Sequence, residues 1–166
     1  MGFDFNADEI FEVAGQIERN GAGFYRRAAK GATDSRTRKL LLDLAGMEDE
    51  HEKIFASMRA DLFDQEREST VFGPDNESIL FLRALADSNV FDVTSDPSEK
   101  LTGSETLEDI LRTAIGLERD SIAFYLGMKE VVPERLGKAR IDAIIKEEMR
   151  HVTVLRDELI SLQQEE

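Results

Sequence analysis

The amino-acid sequence predicts an all-α fold, a four-helix bundle of two helical hairpins joined by a long crossover that contains a short helix. Apolar residues recur at steps of three and four in four separate runs, which is typical of amphipathic helices. A segment of different composition separates the second run from the third, and the two pairs of runs repeat each other. With 166 residues, 41% of them hydrophobic, the chain 1–166 is predicted to form one domain.

The first hairpin is predicted over about residues 7–62. Asn6, with Glu9 three residues later, is a variant capping pair that opens the first helix, which is expected from about residue 7 to residue 30. The second helix follows the turn around GATDS and is expected from about residue 35 to residue 62. Its apolar positions are Leu40, Leu41, Leu44, Met47, Ile54, Phe55, Met58 and Leu62.

The crossover is predicted over about residues 63–103. This segment holds Gly73, Pro74, Pro97 and Gly103 among many Asp, Ser and Asn residues, which disfavour long helices. Its one short apolar stretch, SILFLRALADSNVF, predicts a single short helix within the long connection.

The second hairpin is predicted over about residues 104–163. The helical period returns at GSETLEDIL and continues until Pro133, which ends the third helix. A fourth helix is predicted from the apolar positions Ile141, Ile144, Ile145, Val152, Leu155 and Leu159.

The two hairpins share one register, with an offset of one hundred residues. IERNGAGFY at 17–25 aligns with LERDSIAFY at 117–125, and the same offset relates His51 to His151, the two histidines of the chain. Such self-similarity predicts two copies of one unit about a pseudo-twofold axis. Equivalent residues would then face each other in the core.

Composition narrows the classes of partner. The chain has 35 acidic and 21 basic residues, a net charge of -14, which argues against nucleic acid or an anionic membrane as the partner. It has no cysteine, so any metal would be held by oxygen and nitrogen. The acidic N-terminal segment has no secretory-signal pattern and no apolar run is long enough to span a membrane, so we expect a soluble, cytoplasmic protein.

Six ionisable residues are predicted to point into the bundle. The pairs Glu48/His51 and Glu148/His151 are spaced i, i+3 on or beside apolar stripes, and Glu18 and Glu118 lie among apolar residues of the first and third helices. Burying unpaired carboxylates costs several kcal/mol each, roughly, so a compensating positive charge is expected. Two divalent cations balance four carboxylates and leave the histidines neutral and able to coordinate.

These residues resemble the metal-binding pattern of the ferritin-like di-iron carboxylate proteins, and within them the rubrerythrin-like branch. The resemblance implies a ferritin-like domain that binds two iron ions and reacts with peroxide or dioxygen, and it favours a homodimer. By this resemblance Glu18 and Glu118 would be ligands from the single-Glu helices, Glu48 and Glu148 would bridge the metals, and His51 and His151 would each bind one metal. Manganese or zinc could occupy the same ligands, because Glu and His select iron only weakly.

The sequence departs from the rubrerythrin pattern in two ways. Ser121 stands where rubrerythrins typically carry a second glutamate on the third helix, and the four cysteines of a rubredoxin-type iron site are missing. A redox-active centre would therefore need an external electron donor protein or a small reductant. Peroxide reduction and ferroxidase activity both stay open, and the alternative is a bundle whose metal site is structural or non-redox and which acts as a binding module.

Neighbouring residues have less specific interpretations. Tyr25 and Tyr125, seven residues after Glu18 and Glu118, could donate hydrogen bonds to ligating carboxylates or relay an electron, or they could simply fill the core. Met47 and Met58 are expected to be ordinary core residues. The remaining acidic residues next to the motifs are expected to be solvated charges: Glu50, Glu52 and Glu147.

Overall fold

The computed structural model describes residues 6–64, 67, 76–86, 95–132 and 134–165. Those residues contain no strand, and their regular structure is helical throughout. The α-helices are α1 (Ala7–Gly31), α2 (Ser35–Ala60), α3 (Glu77–Ala86), α4 (Leu107–Val131) and α5 (Lys138–Glu165), with short 3₁₀ turns at Pro97–Lys100 and Glu134–Leu136. The all-α prediction is confirmed, and the observed helix ends lie within a few residues of the predicted ones.

Local capping explains most of the helix starts. The side chain of Asn6 accepts a hydrogen bond of 2.8 Å from the backbone N–H of Glu9, and Asp34 caps α2 in the same way. Thr106 and Asp109 form a reciprocal capping box, so α4 begins at residue 107 rather than near 104. Gly137, with φ 88°, adopts the left-handed conformation immediately before α5.

The helices pack as two hairpins. α1 packs along α2, α4 packs along α5, and the hairpins meet chiefly through α1 against α4. The crossover helix α3 lies on α4, where a Cβ added at Gly127 would come within 2.9 Å of the side chains of Phe81 and Leu82. The predicted crossover helix is therefore present, although residues 87–91 of its apolar stretch lie outside the described residues.

The core consists of two apolar clusters separated by a polar layer. One cluster includes Phe11, Phe55, Met128 and Ile141, and the other includes Phe24, Leu41, Leu111 and Leu155. The polar layer lies between the two clusters, and each of the four long helices contributes to it. Its residues are Glu18, Glu48, His51, Glu118, Glu148 and His151. Within the described ranges, no helix combines the length and the apolar character that a membrane span requires.

Candidate metal centre

The structure brings together all six of the residues singled out in the sequence. α1 contributes Glu18, α4 contributes Glu118, and the two glutamate–histidine pairs come from α2 and α5. None of the six is more than 4% exposed. We refer to these residues as the centre: Glu18, Glu48, His51, Glu118, Glu148 and His151.

The centre divides into two overlapping groups of four residues. In each group, one potential ligand atom from each of the four residues lies within 4.8 Å of the other three, close enough to surround a shared metal ion. One group is Glu18, Glu48, His51 and Glu148, and the other is Glu48, Glu118, Glu148 and His151. Glu48 and Glu148 belong to both groups.

The distances around the two histidines follow the same division. Nδ1 of His51 lies 3.0 Å from Oε1 of Glu148 and 3.6 Å from the nearest oxygens of Glu18 and Glu48. Nδ1 of His151 lies 2.9 Å from the other oxygen of Glu148, and it is 3.2 Å from Glu48 and 3.4 Å from Glu118. Each shared carboxylate thus directs one oxygen toward each histidine.

Several buried atoms of the centre have no hydrogen-bond partner. They are Oε1 of Glu48, both carboxylate oxygens of Glu148, and Nδ1 of His51 and His151. The imidazole nitrogens are close to carboxylate oxygens, but the geometry is not that of a hydrogen bond. Buried polar atoms of native proteins are nearly always satisfied. The orphaned atoms all belong to the two four-residue groups, so the donor set fits a pair of metal ions.

Comparison with known proteins decides the family. The family model described as Rubrerythrin matches residues 9–159. The chain belongs to the rubrerythrin family. Among curated proteins, no significant sequence match was found.

A solved structure supports the fold of this rubrerythrin-family chain. A Thermotoga maritima protein, described as a ferritin-like diiron-carboxylate protein and solved at 2.30 Å resolution, is 26% identical in sequence. The match has a TM-score of 0.74 and covers 93% of this chain and 95% of the other. The predicted ferritin-like four-helix bundle is therefore confirmed, and the buried carboxylate–histidine cluster fits the binding of a di-iron centre.

The two buried tyrosines connect the hairpins across the centre. The hydroxyl of Tyr25 on α1 donates a hydrogen bond to Oε1 of Glu118 on α4, and the hydroxyl of Tyr125 on α4 donates to Oε1 of Glu18 on α1. Each tyrosine therefore holds the glutamate of the opposite hairpin rather than the glutamate of its own helix. Burial and the facing carboxylates raise the pKa of both phenols well above their usual value, so they stay protonated and can donate.

Two residues that contact the outward nitrogens of the histidines differ from the sequence prediction. Nε2 of His51 lies 2.7 Å from Oε2 of Glu147, so Glu147 is not simply a solvated charge. Nε2 of His151 lies 3.2 Å from Sδ of Met47, which is 44% exposed and is not a core residue. Both residues occupy the edge of the apolar stripe, where a long side chain can turn toward the centre or toward solvent. The fully buried Met58 is a core residue, as expected.

Contacts within the centre separate the pKa values of its four carboxyls in this rubrerythrin-family chain. Burial and the neighbouring carboxylates raise the pKa of Glu18 and Glu118 well above the usual range. Burial acts in the same direction on Glu48 and Glu148, but contacts with the two histidines, and for Glu48 with Glu18, lower the pKa of both shared carboxyls.

For the two histidines, burial and the neighbouring carboxylates shift the pKa in opposite directions. Burial works against their charged form, yet the surrounding carboxylates raise the pKa of His51 well above its usual value and that of His151 to about 12. Without bound cations, these shifts favour retention of protons by Glu18, Glu118 and both histidines, which reduces the net negative charge of the centre. Two divalent cations would offset the charge of the four carboxylates in the same sense.

A cavity borders the centre. It has a volume of about 190 Å³ and lies between α1 and α4, lined on its inner side by Tyr25, Glu48 and Glu118. Gly21 and Ser121, at equivalent positions of the two hairpins, also line it. A Cβ added at Gly21 would lie 3.4 Å from Cγ of Glu48, and the Ser121 hydroxyl donates to the carbonyl oxygen of Leu117 on its own helix. Small residues at both positions therefore keep the space beside the carboxylates open.

Proposed function

We propose that this protein is a di-iron oxidoreductase that reacts with peroxide or dioxygen. The observation that carries the proposal is the pair of four-residue groups that share Glu48 and Glu148 and contain all the orphaned buried atoms described above. An ion at each group would satisfy these atoms and balance the four carboxylates. The likeness to a protein described as a diiron-carboxylate protein favours iron over other divalent metals.

The residues have distinct roles in this proposal. Glu48 and Glu148 would be shared by the two ions, because each directs one oxygen toward each histidine. Glu18 and Glu118 would each hold one ion, as would His51 and His151. Tyr25 and Tyr125 hold the terminal carboxylates in place by hydrogen bonds to the opposite hairpin. Bound iron supplies the one-electron and dioxygen chemistry that protein side chains lack.

The cavity beside Gly21 and Ser121 supports access by a small oxidant. Its volume of about 190 Å³ is large enough for peroxide or dioxygen, and Glu48 and Glu118 are among the residues that line it. Peroxide reduction and oxidation of ferrous iron are the two candidate outcomes. Because the sequence has no cysteine to hold a rubredoxin-type iron, we propose that electrons come from a separate donor protein or a small reductant. We further propose that the protein acts as a homodimer.

A metal-loading experiment tests the site and the reaction separately. The protein is loaded anaerobically with ferrous ion, its metal content is measured, and peroxide or air is added while the near-ultraviolet absorption is followed. We expect about two ions per chain and rapid absorption of a diferric species. Tight zinc binding without any spectral response to oxidant would instead favour a structural site.

Variants of the same protein locate the metal. We expect Glu148→Ala to lose both ions and His51→Ala to lose one, because Glu148 belongs to both groups and His51 to one. The matched control is Glu50→Ala, which removes an exposed carboxylate of α2 that pairs with Lys53 outside the centre. Unchanged metal content in both Glu148→Ala and His51→Ala would rule out this centre as the metal site.

A further inference from the structure

The outward nitrogens of the two histidines contact different acceptors. His51 Nε2 lies 2.7 Å from a carboxylate oxygen of Glu147, whereas His151 Nε2 lies 3.2 Å from the thioether sulfur of Met47. Met47 and Glu147 are one hundred residues apart, the same offset that relates the two hairpins. One position of the repeated unit therefore carries a carboxylate in the second hairpin and a thioether in the first.

These acceptors differ in strength and charge. A carboxylate forms a short, charge-assisted hydrogen bond with an imidazole N–H, while a thioether sulfur is a weak acceptor. An acceptor at Nε2 keeps the proton on that nitrogen and leaves the lone pair of Nδ1 directed into the centre. The imidazole of His51 is consequently the better oriented and the stronger donor of the two.

The charge at the two positions differs as well. Glu147 adds a negative charge beside the group that contains His51, and Met47 adds none beside the group that contains His151. Both residues lie at the edge of the bundle: Met47 is 44% exposed, and the side chain of Glu147 is also 44% exposed. The difference between the positions thus comes from the chemistry of the acceptor rather than from its access to solvent.

We propose that Glu147 is a positioning residue that makes the metal position at His51 bind its ion more tightly than the position at His151. The inference rests on the proposed function, because it assumes metal ions at the centre. Loss of an outer partner of a metal-binding histidine typically costs about 10–100-fold in metal affinity. Because the Glu147 side chain is partly exposed, we expect a difference of about tenfold, the lower end of that range.

The test uses variants that keep only one of the two groups intact. In the unaltered protein, repulsion between two bound ions would by itself make the two binding steps differ in affinity. His151→Ala keeps the group with His51 intact, and His51→Ala keeps the group with His151 intact. The affinity of each variant for Co²⁺ is measured by calorimetry on metal-free protein. We expect Glu147→Met to weaken Co²⁺ binding about tenfold in the His151→Ala background and to leave it unchanged in the His51→Ala background.

The reciprocal substitution provides the matched control. Met47→Glu should tighten Co²⁺ binding about tenfold in the His51→Ala background and have no effect in the His151→Ala background. Glu147→Gln keeps the shape of the side chain and should give an intermediate affinity. Equal weakening by Glu147→Met in both backgrounds, or no weakening in either, would overturn the proposal.

Failure of the proposed function would look different. If His51→Ala and His151→Ala each bound as many Co²⁺ ions as the unaltered protein, the metal would lie outside the centre. If each bound one ion fewer but Glu147→Met had no effect, the centre would stand and only the role of Glu147 would be refuted.

Discussion

The metal-free protein is predicted to lose stability as the pH rises from mildly acidic to mildly basic. The pKa values of Glu18 and Glu118 are raised above the ordinary 4.5, and those of His51 and His151 are raised above the ordinary 6.5. In this pH range the folded metal-free chain binds protons that the unfolded chain has released. Stability from these groups is fully present below the unfolded pKa values and is lost as the pH rises toward the folded ones.

The magnitude follows from the number of retained protons. Each extra proton bound by the folded state changes the free energy of unfolding by about 1.4 kcal/mol per pH unit. The two carboxyls alone give about 2.7 kcal/mol per pH unit above pH 5, and the histidines add to this above their unfolded pKa. Glu48 and Glu148 have lowered pKa values, so their contribution is lost only in acid, below about pH 4.5. A typical domain has about 5–15 kcal/mol of stability, so the effect is large.

Urea denaturation of the chelator-treated protein, followed by circular dichroism, measures this dependence. The free energy of unfolding should fall between about pH 5.5 and about pH 7.5. Glu18→Gln combined with Glu118→Gln removes two of the titrating groups and should reduce the slope by about 2.7 kcal/mol per pH unit. Metal-loaded protein, in which cations replace the protons, should not show the fall. A constant or rising free energy in the metal-free protein would refute the burial argument.

Three further predictions concern the centre and its surroundings. Binding two divalent cations at neutral pH should release about four protons, two from carboxyls and two from imidazolium groups, measurable with an indicator dye in weak buffer. Tyr125→Phe removes the hydrogen bond to Glu18 and should lower the free energy of unfolding of the metal-free protein by about 1–3 kcal/mol in urea denaturation. Gly127→Ala should destabilise the protein by about 1–3 kcal/mol in thermal denaturation, because its Cβ would meet Phe81, whereas Gly116→Ala has no atom within 4 Å and should be neutral or stabilising.

The fold was accessible from sequence because its signals are local. Apolar periodicity located the four long helices, and the capping side chain of Asn6 indicated where α1 begins. The six residues of the centre were identifiable for a related reason. Ionisable groups at inward positions of a helix are costly, so their repetition at an offset of one hundred indicated a shared site rather than chance.

The outer contacts of the centre depended on tertiary structure. The tyrosine–glutamate hydrogen bonds cross from one hairpin to the other, and their partners follow from the packing of α1 against α4. Glu147 and Met47 lie at the edge of an apolar stripe, where the helical angle does not determine which way a long side chain turns. Their positions beside the outward histidine nitrogens could be found only from the contacts of His51 and His151.

The division of the centre into two groups has a consequence for how the protein assembles. Each group takes three residues from one hairpin and one from the other: Glu148 completes the group of the first hairpin, and Glu48 completes that of the second. A hairpin on its own could therefore complete neither group and would have to associate with a second hairpin at a rate and extent set by concentration. Linking both hairpins in one chain makes that association intramolecular. The metal affinity of a single chain should accordingly be independent of protein dilution.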